Sequence, residues 1–244
     1  MKKIFIPLFL LCALFVQGQQ FISTGMIEFE VVANNHKQMG DEDNFWTQMF
    51  KDKTPKLSTS WYRFMFNDNK AVYKFDRKDE KSKLPWDNGA AEDNTWYNDY
   101  TANTFIDYKF IVDNNYLLTG ELMKIDWKLS PGENRVIAGF NCRKATGVIF
   151  DSVYVFAFYT DEITISGGPM GLHGLPGMIL GVTIPRMYTS WVATKLQVAN
   201  VDTKKIVPPQ KGKKKQASEL TKAIETAMEG RGSWLQQSLW GVYL

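Results

Sequence analysis

The sequence predicts a mainly β protein of α+β type. It should form a single curved antiparallel sheet, sandwich or partial barrel of about ten strands, with one helix after the first strand and a short C-terminal helix. Three observations lead there. Short apolar stretches, several strictly alternating, are separated by turn residues at roughly 8–12-residue spacing, the pattern of an antiparallel all-β body. The helices that a doubly wound fold would need between strands are missing. Aromatic content is high, with eight Trp, ten Tyr and sixteen Phe, and such side chains suit the inward positions of a pleated sheet.

The elements follow in order. Ile27, Phe29 and Val31 alternate with Glu28 and Glu30, giving a half-buried strand over residues 25–32. Residues 41–51 carry acids first and Phe45, Trp46, Met49 and Phe50 afterwards, a helical spacing with the acids at the favourable N-terminal end. Residues 61–66 and 71–75 flank Asn67-Asp68-Asn69-Lys70 and read as a hairpin, because Asn and Asp tolerate left-handed turn positions. Residues 77–95, rich in charge, Gly, Asn and Pro85, read as an exposed loop. Strands are expected at 96–100, 104–112, 116–118 with 122–129, and 135–148, with turns at 113–115 and at Ser130-Pro131-Gly132-Glu133-Asn134. Val153, Val155, Ala157 and Tyr159 alternate strongly, and residues 178–184 and 189–201 supply two more strands. Lys211 to Lys215 read as a solvated basic linker, and residues 218–229 as a short amphipathic helix ended by Gly230 and Gly232. The last residues, among them Trp234, Leu239, Trp240 and Val242, are too apolar for a free tail and should dock on the body or on a partner.

The N-terminus reads as an export signal: Lys2 and Lys3, an apolar run from Ile4 to Val16, and a cleavage point after Gly18. That run is shorter than the roughly 20 residues of a spanning helix, and no run of spanning length follows residue 20. The expected organisation is a signal peptide at 1–18, a β-rich domain at 19–209, and a linker, helix and apolar tail at 210–244. Cleavage would remove two of the 29 basic residues, leaving 27 against 26 acidic ones and lowering the net charge from +3 to +1. Nucleic acid is therefore not an expected partner, since that needs a concentrated basic face. Cleavage would also remove Cys12, so Cys142 becomes the one cysteine and no internal disulfide can form.

Catalytic and metal signals are sparse. The two histidines are His36 and His173, and no serine sits in a G-x-S-x-G elbow. Cys142 is a conceivable nucleophile beside Arg143 and Lys144, of which only Lys144 shares its side of a strand, and His173 a conceivable base among flexible glycines. A buried core thiol and a plain loop histidine are the simpler readings. Met170, His173 and Met178 would suit cuprous copper. The chain lacks C-x-x-C, H-E-x-x-H, EF-hand and Walker patterns, so no cofactor is expected.

The densest Gly/Pro stretch runs from Gly167 to Gly177. Within it, Gly174-Leu175-Pro176-Gly177-Met178-Ile179 resembles the signature of the GLPGLI family of exported Bacteroidota proteins. The family's cysteine strand, of the form Gly-Tyr-x-Cys-x-Lys-Ala, is matched by Gly139-Phe140-Asn141-Cys142-Arg143-Lys144-Ala145. Ala157-Phe158-Tyr159-Thr160-Asp161-Glu162-Ile163, Gly168-Pro169 and Trp127-Lys128-Leu129 agree as well. Departures are Met178 for Leu, Phe158 for Trp, and Thr164 where Pro is usual. The resemblance implies an exported β-rich protein without an established activity, periplasmic or attached to the outer membrane. It also implies an envelope partner such as an outer-membrane transport receptor. The expected function is therefore a non-enzymatic accessory module binding a partner protein or an apolar ligand, the alternatives being an envelope enzyme using Cys142 or His173 and a copper-binding protein. Leu175-Pro176-Gly177-Met178 suits a type II turn that launches the next strand, which makes the signature a structural clasp or else a ligand-binding lip.

Overall fold

A computed structural model describes residues 21–40, 45–83, 89–230 and 232–244. The expected export signal, the acids Asp41, Glu42 and Asp43, and Pro85 lie outside the described residues. The body is one open sheet of twelve strands. In chain order these are β1 (Thr24–Asn34), β2 (Leu57–Asn67), β3 (Lys70–Lys78), β4 (Thr95–Asp99), β5 (Thr104–Ile111), β6 (Asn114–Glu121), β7 (Lys128–Ile137), β8 (Phe140–Ile149), β9 (Val153–Thr160), β10 (Met178–Ile184), β11 (Thr189–Gln197) and β12 (Lys213–Gln216). The spatial order is β12-β6-β5-β4-β3-β2-β1-β11-β10-β9-β8-β7. All neighbours are antiparallel except β12, which pairs parallel with β6. The helices are α1 (Asn35–Gln38), α2 (Phe45–Asp52), α3 (Ala217–Ala227) and α4 (Ser233–Tyr243).

Alternation decides which face is buried. In β1, Ile27, Phe29 and Val31 point into the core, while Glu28 and Glu30 remain partly exposed. The same face collects Phe64 and Phe66 of β2, Ala145 and Ile149 of β8, and Val155, Ala157 and Tyr159 of β9 into the main cluster. A second cluster lies at the β5–β6 end, where Phe105, Ile111 and Leu118 pack against Leu220 and Ile224 of α3 and Val242 of α4. The sheet curls enough for Ile137 of β7 to crowd Gly181 of β10, although β8 and β9 lie between them in the sheet.

Several local expectations change. The turn foreseen at residues 130–134 is a bulge inside β7, where Ser130 faces Lys144 and Asn134 already faces Arg143. The chain reverses later, at Ala138 and Gly139, both at positive φ (49° and 87°), which matches the right-handed strand twist of a tight hairpin. The basic segment is no free linker either: Lys213–Gln216 adds a short edge strand with exposed side chains, and lysines on an edge discourage further pairing. The residues beyond it form two helices where one was expected, and both pack on the sheet.

Candidate functional site

The signature segment forms a closed loop pinned from several directions. The amide N–H of Met178 donates to the Ile163 carbonyl (3.2 Å) and that of Ile179 to Gly167 (2.8 Å). Ser166 Oγ donates to the Leu175 carbonyl (2.7 Å) and accepts from the Gly174 N–H (3.1 Å). Ile163, Ile165, Leu172, Leu175, Met178 and Ile179 are all buried in the main cluster. The expected type II turn is replaced by a tighter reversal in which Gly177 N–H donates to Leu175 O (2.8 Å). The reason is that the Met178 N–H is already taken by Ile163. Gly177 sits at φ +130°, and a Cβ there would run into the Thr160 carbonyl oxygen, so only glycine fits.

The segments that carry the family resemblance meet here. Trp127 Nε1 donates to the His173 carbonyl at 2.8 Å, and Trp127 also lies against Gly147 and Gly174. The His173 ring stands edge-on to Tyr100, with centroids 5.9 Å apart. Its Nε2 is buried without a hydrogen-bond partner among the described residues, and burial lowers its pKa from the usual histidine value. No carboxylate or nucleophile is hydrogen-bonded to the imidazole among those residues. Cys142 is fully buried in β8, with Sγ 3.6 Å from the Phe140 carbonyl oxygen, and burial pushes its thiol up to about 11. Arg143 and Lys144 point to other partners, Asp161 and Glu133, each at 2.7 Å. Met178 is buried at the start of β10, and Met170 lines a groove to which His173 does not contribute. No group of three or more His, Cys, Asp or Glu side chains able to hold a metal occurs among the described residues.

That groove is a concave feature to which this segment contributes Met170. It has a volume of about 700 Å³ and lies between α4, α1, the start of β4 and the β10–β11 turn. Its aromatic walls are Tyr62, Trp96, Tyr188 and Trp240, and Met39, Met170 and Met187 add soft apolar surface. The amides around it mostly hold the walls together. Asn35 Nδ2 donates to the Pro55 carbonyl (2.8 Å) and Gln38 Nε2 to the Met187 carbonyl (2.8 Å). Asn94 Oδ1 accepts the Phe110 N–H (2.8 Å). Arg186 is the charged member of the described lining, in the short turn Pro185–Met187.

Behind the groove lies a buried ion pair. Lys109 has no exposed surface; its Nζ is 3.6 Å from Asp107 Oδ2, donates to the Leu244 carbonyl (3.0 Å) and sits 4.8 Å over the Trp96 ring. Asp107 Oδ1 also accepts the Tyr97 N–H at 3.1 Å. Burial raises the Asp107 carboxyl above the usual carboxylate range and lowers the Lys109 ammonium, each opposed by attraction to the other. The pair lies where the two clusters meet, with Trp96 and Leu244 on one side and Phe105, Ile111 and Val242 on the other.

Sequence reasoning singled out the signature residues Gly174, Leu175, Pro176, Gly177, Met178 and Ile179 together with Cys142. All lie within the main body, and none lines the groove. Arg186, Trp96, Trp240 and the Asp107–Lys109 pair were missed. A signal existed for the pair: along Phe105, Asp107, Lys109 and Ile111, the inward period-2 positions are interrupted by two charges.

No protein-family model matches this chain, and no curated protein sequence matches it. Among solved structures, PNGF-II in two crystal forms is similar, each with a TM-score of 0.51 and 15% identity. The matches cover 82% and 88% of this chain but 33% of each PNGF-II chain, so this chain spans about one third of that length. An uncharacterised conserved protein from Thermus thermophilus aligns over 78% of this chain and 90% of its own, at TM-score 0.38 and 8% identity. The PNGF-II likeness bears on the fold alone.

Proposed function

We propose that this protein is a non-enzymatic binding module of the cell envelope that holds a predominantly apolar ligand in the groove beside α4. The groove itself carries the reading. Its volume of about 700 Å³ lies in the range of small-molecule pockets, roughly 300–1,000 Å³, and aromatic and thioether surface makes up much of its lining, with amides and one arginine among it. Methionine and aromatic walls adapt to ligands of varied shape, which suits an accessory binding role. An enzyme centred on Cys142 or His173 draws no support from the geometry, because a buried, protonated thiol and an imidazole without an acid partner are poorly placed for catalysis. The proposal of export, to the periplasm or to the outer membrane near a transport receptor, rests on the leader pattern at residues 1–18 and on the GLPGLI-like signature.

The test is a fluorescence titration with N-phenyl-1-naphthylamine, a neutral apolar probe. Saturable binding is expected at one probe per chain. Ala91 and Gln237 both line the groove without being buried, so Ala91→Trp or Gln237→Trp should fill it and weaken binding at least ~10-fold without loss of fold. Unsaturable binding, or saturable binding untouched by both variants, would contradict the assignment.

A further inference from the structure

We infer that the groove selects amphiphiles with an anionic head: an apolar chain or ring system ending in a carboxylate or phosphate that docks on Arg186. The inference rests on the groove being the binding site and adds the class of ligand it takes. Its basis is the condition of Arg186. Arg63, Arg77 and Arg143 each have a carboxylate oxygen at 2.7 Å. Arg186 instead donates to neutral oxygens, the Ser152 hydroxyl (3.0 Å) and the Gln236 amide (3.1 Å), and no carboxylate lies within 4 Å of it among the described residues. A guanidinium has five N–H donors in a planar fork, so donors remain free after these two bonds.

Position and surroundings point the same way. The guanidinium carbon is 5.9 Å from the centre of the Trp240 ring, which itself lines the groove, so the charge sits at the mouth of the apolar space. The turn that holds it is fixed: Tyr188 N–H donates to the Pro185 carbonyl (2.9 Å), and the Tyr188 carbonyl accepts the Asn34 N–H (2.9 Å). None of the described lining side chains is acidic. The amides of Asn35, Gln38 and Asn94 are already engaged in the walls. An apolar body along Trp96, Tyr62 and the methionines, with its anionic oxygens on the free side of Arg186, satisfies both halves of the site. Carboxylate and phosphate share this chemistry, since both accept bidentate bonds from the arginine fork.

Calorimetric titration with three ligands of one chain length separates the possibilities: decanol, decanoate and decyl phosphate. The expected result is measurable decanol binding, with one or both anions binding about tenfold more tightly, the size of one charge-assisted hydrogen bond. Arg186→Gln should abolish that preference, and Arg186→Lys should keep part of it. Preference for decanoate or for decyl phosphate then identifies the head group. If decanol and both anions bind equally, or if Arg186→Gln leaves the preference intact, the anionic selection is wrong and the apolar groove stands. If neither decanol nor the anions bind, the groove assignment fails and the selection with it.

Discussion

The loop at residues 163–179 and the helix α4 cover the same face of the sheet in different ways. The loop contributes seven buried apolar side chains and ties its backbone polar groups to itself and to neighbouring strands. Little space is left around it: a Cβ on Gly168 or Gly177 would collide with its neighbours. Helix α4 instead joins two hydrophobic clusters across a buried ion pair and leaves a cavity of about 700 Å³ beside Trp240. A segment with tight packing and a tied-down backbone resists opening, whereas one with a void and a desolvated charge pair opens at lower cost. The contrast fits an architectural part for the Gly/Pro loop and, on the proposed reading, binding for the helix side.

Substitutions that strike the two regions separately can break or sharpen that contrast. The largest effect is expected at the ion pair. Lys109→Met leaves the Asp107 carboxylate buried without its cation and should cost about 3–5 kcal/mol of stability in urea unfolding at neutral pH. Burial already raises the Asp107 pKa, and losing the ammonium raises it further, so the folded variant takes up a proton more readily than the unfolded chain does. The penalty should therefore shrink as pH falls, and Asp107→Asn combined with Lys109→Met should recover most of it. A pH-independent penalty would show that the carboxylate is not the source.

Next in size is Gly177→Ala, with an expected cost of about 2–4 kcal/mol from the collision with Thr160 and the unfavourable φ. Any folded fraction should bind N-phenyl-1-naphthylamine with unchanged affinity, since Gly177 does not line the groove. Trp240→Ala should have the reverse profile, with a loss of about 2 kcal/mol, less than for a full core tryptophan because one face borders the groove, and a marked fall in probe affinity.

The smallest expected effect is at His173. Its folded pKa is depressed below the unfolded value of about 6.5, so the neutral ring favours folding above that pH and the contribution is lost as pH falls toward the folded value. Unfolding curves at pH 7.5 and 5.0 should show a smaller acid-induced loss in His173→Gln than in the parent protein. An equal loss in both would remove the imidazole from the account.

Much of the sheet was legible because period-2 alternation is strong in β1, β5 and β9, where one face is buried. The turns were harder to locate. Pro131-Gly132 carries the stronger local turn signal, yet the reversal occurs at Ala138-Gly139, because pairing of Arg135, Val136 and Ile137 with β8 outweighs the local preference. Lys213–Gln216 reads as solvated by composition, and only its pairing with β6 makes it a strand. The signature loop stood out because its shape needs Gly and Pro. The groove did not, because its walls come from residues 35 to 244, brought together by the sheet order and by α4. Arg186 carries no signal in the sequence, and its freedom from carboxylates shows only in three dimensions.

Amide hydrogen exchange with and without decanoate tests the division of labour most directly. Exchange in residues 233–244 and 185–188 should slow at saturating ligand, while residues 172–179, none of which lines the groove and whose backbone is held by hydrogen bonds, remain unchanged. Protection that appears in residues 172–179 and not in α4 would contradict the account and move the binding site to the signature.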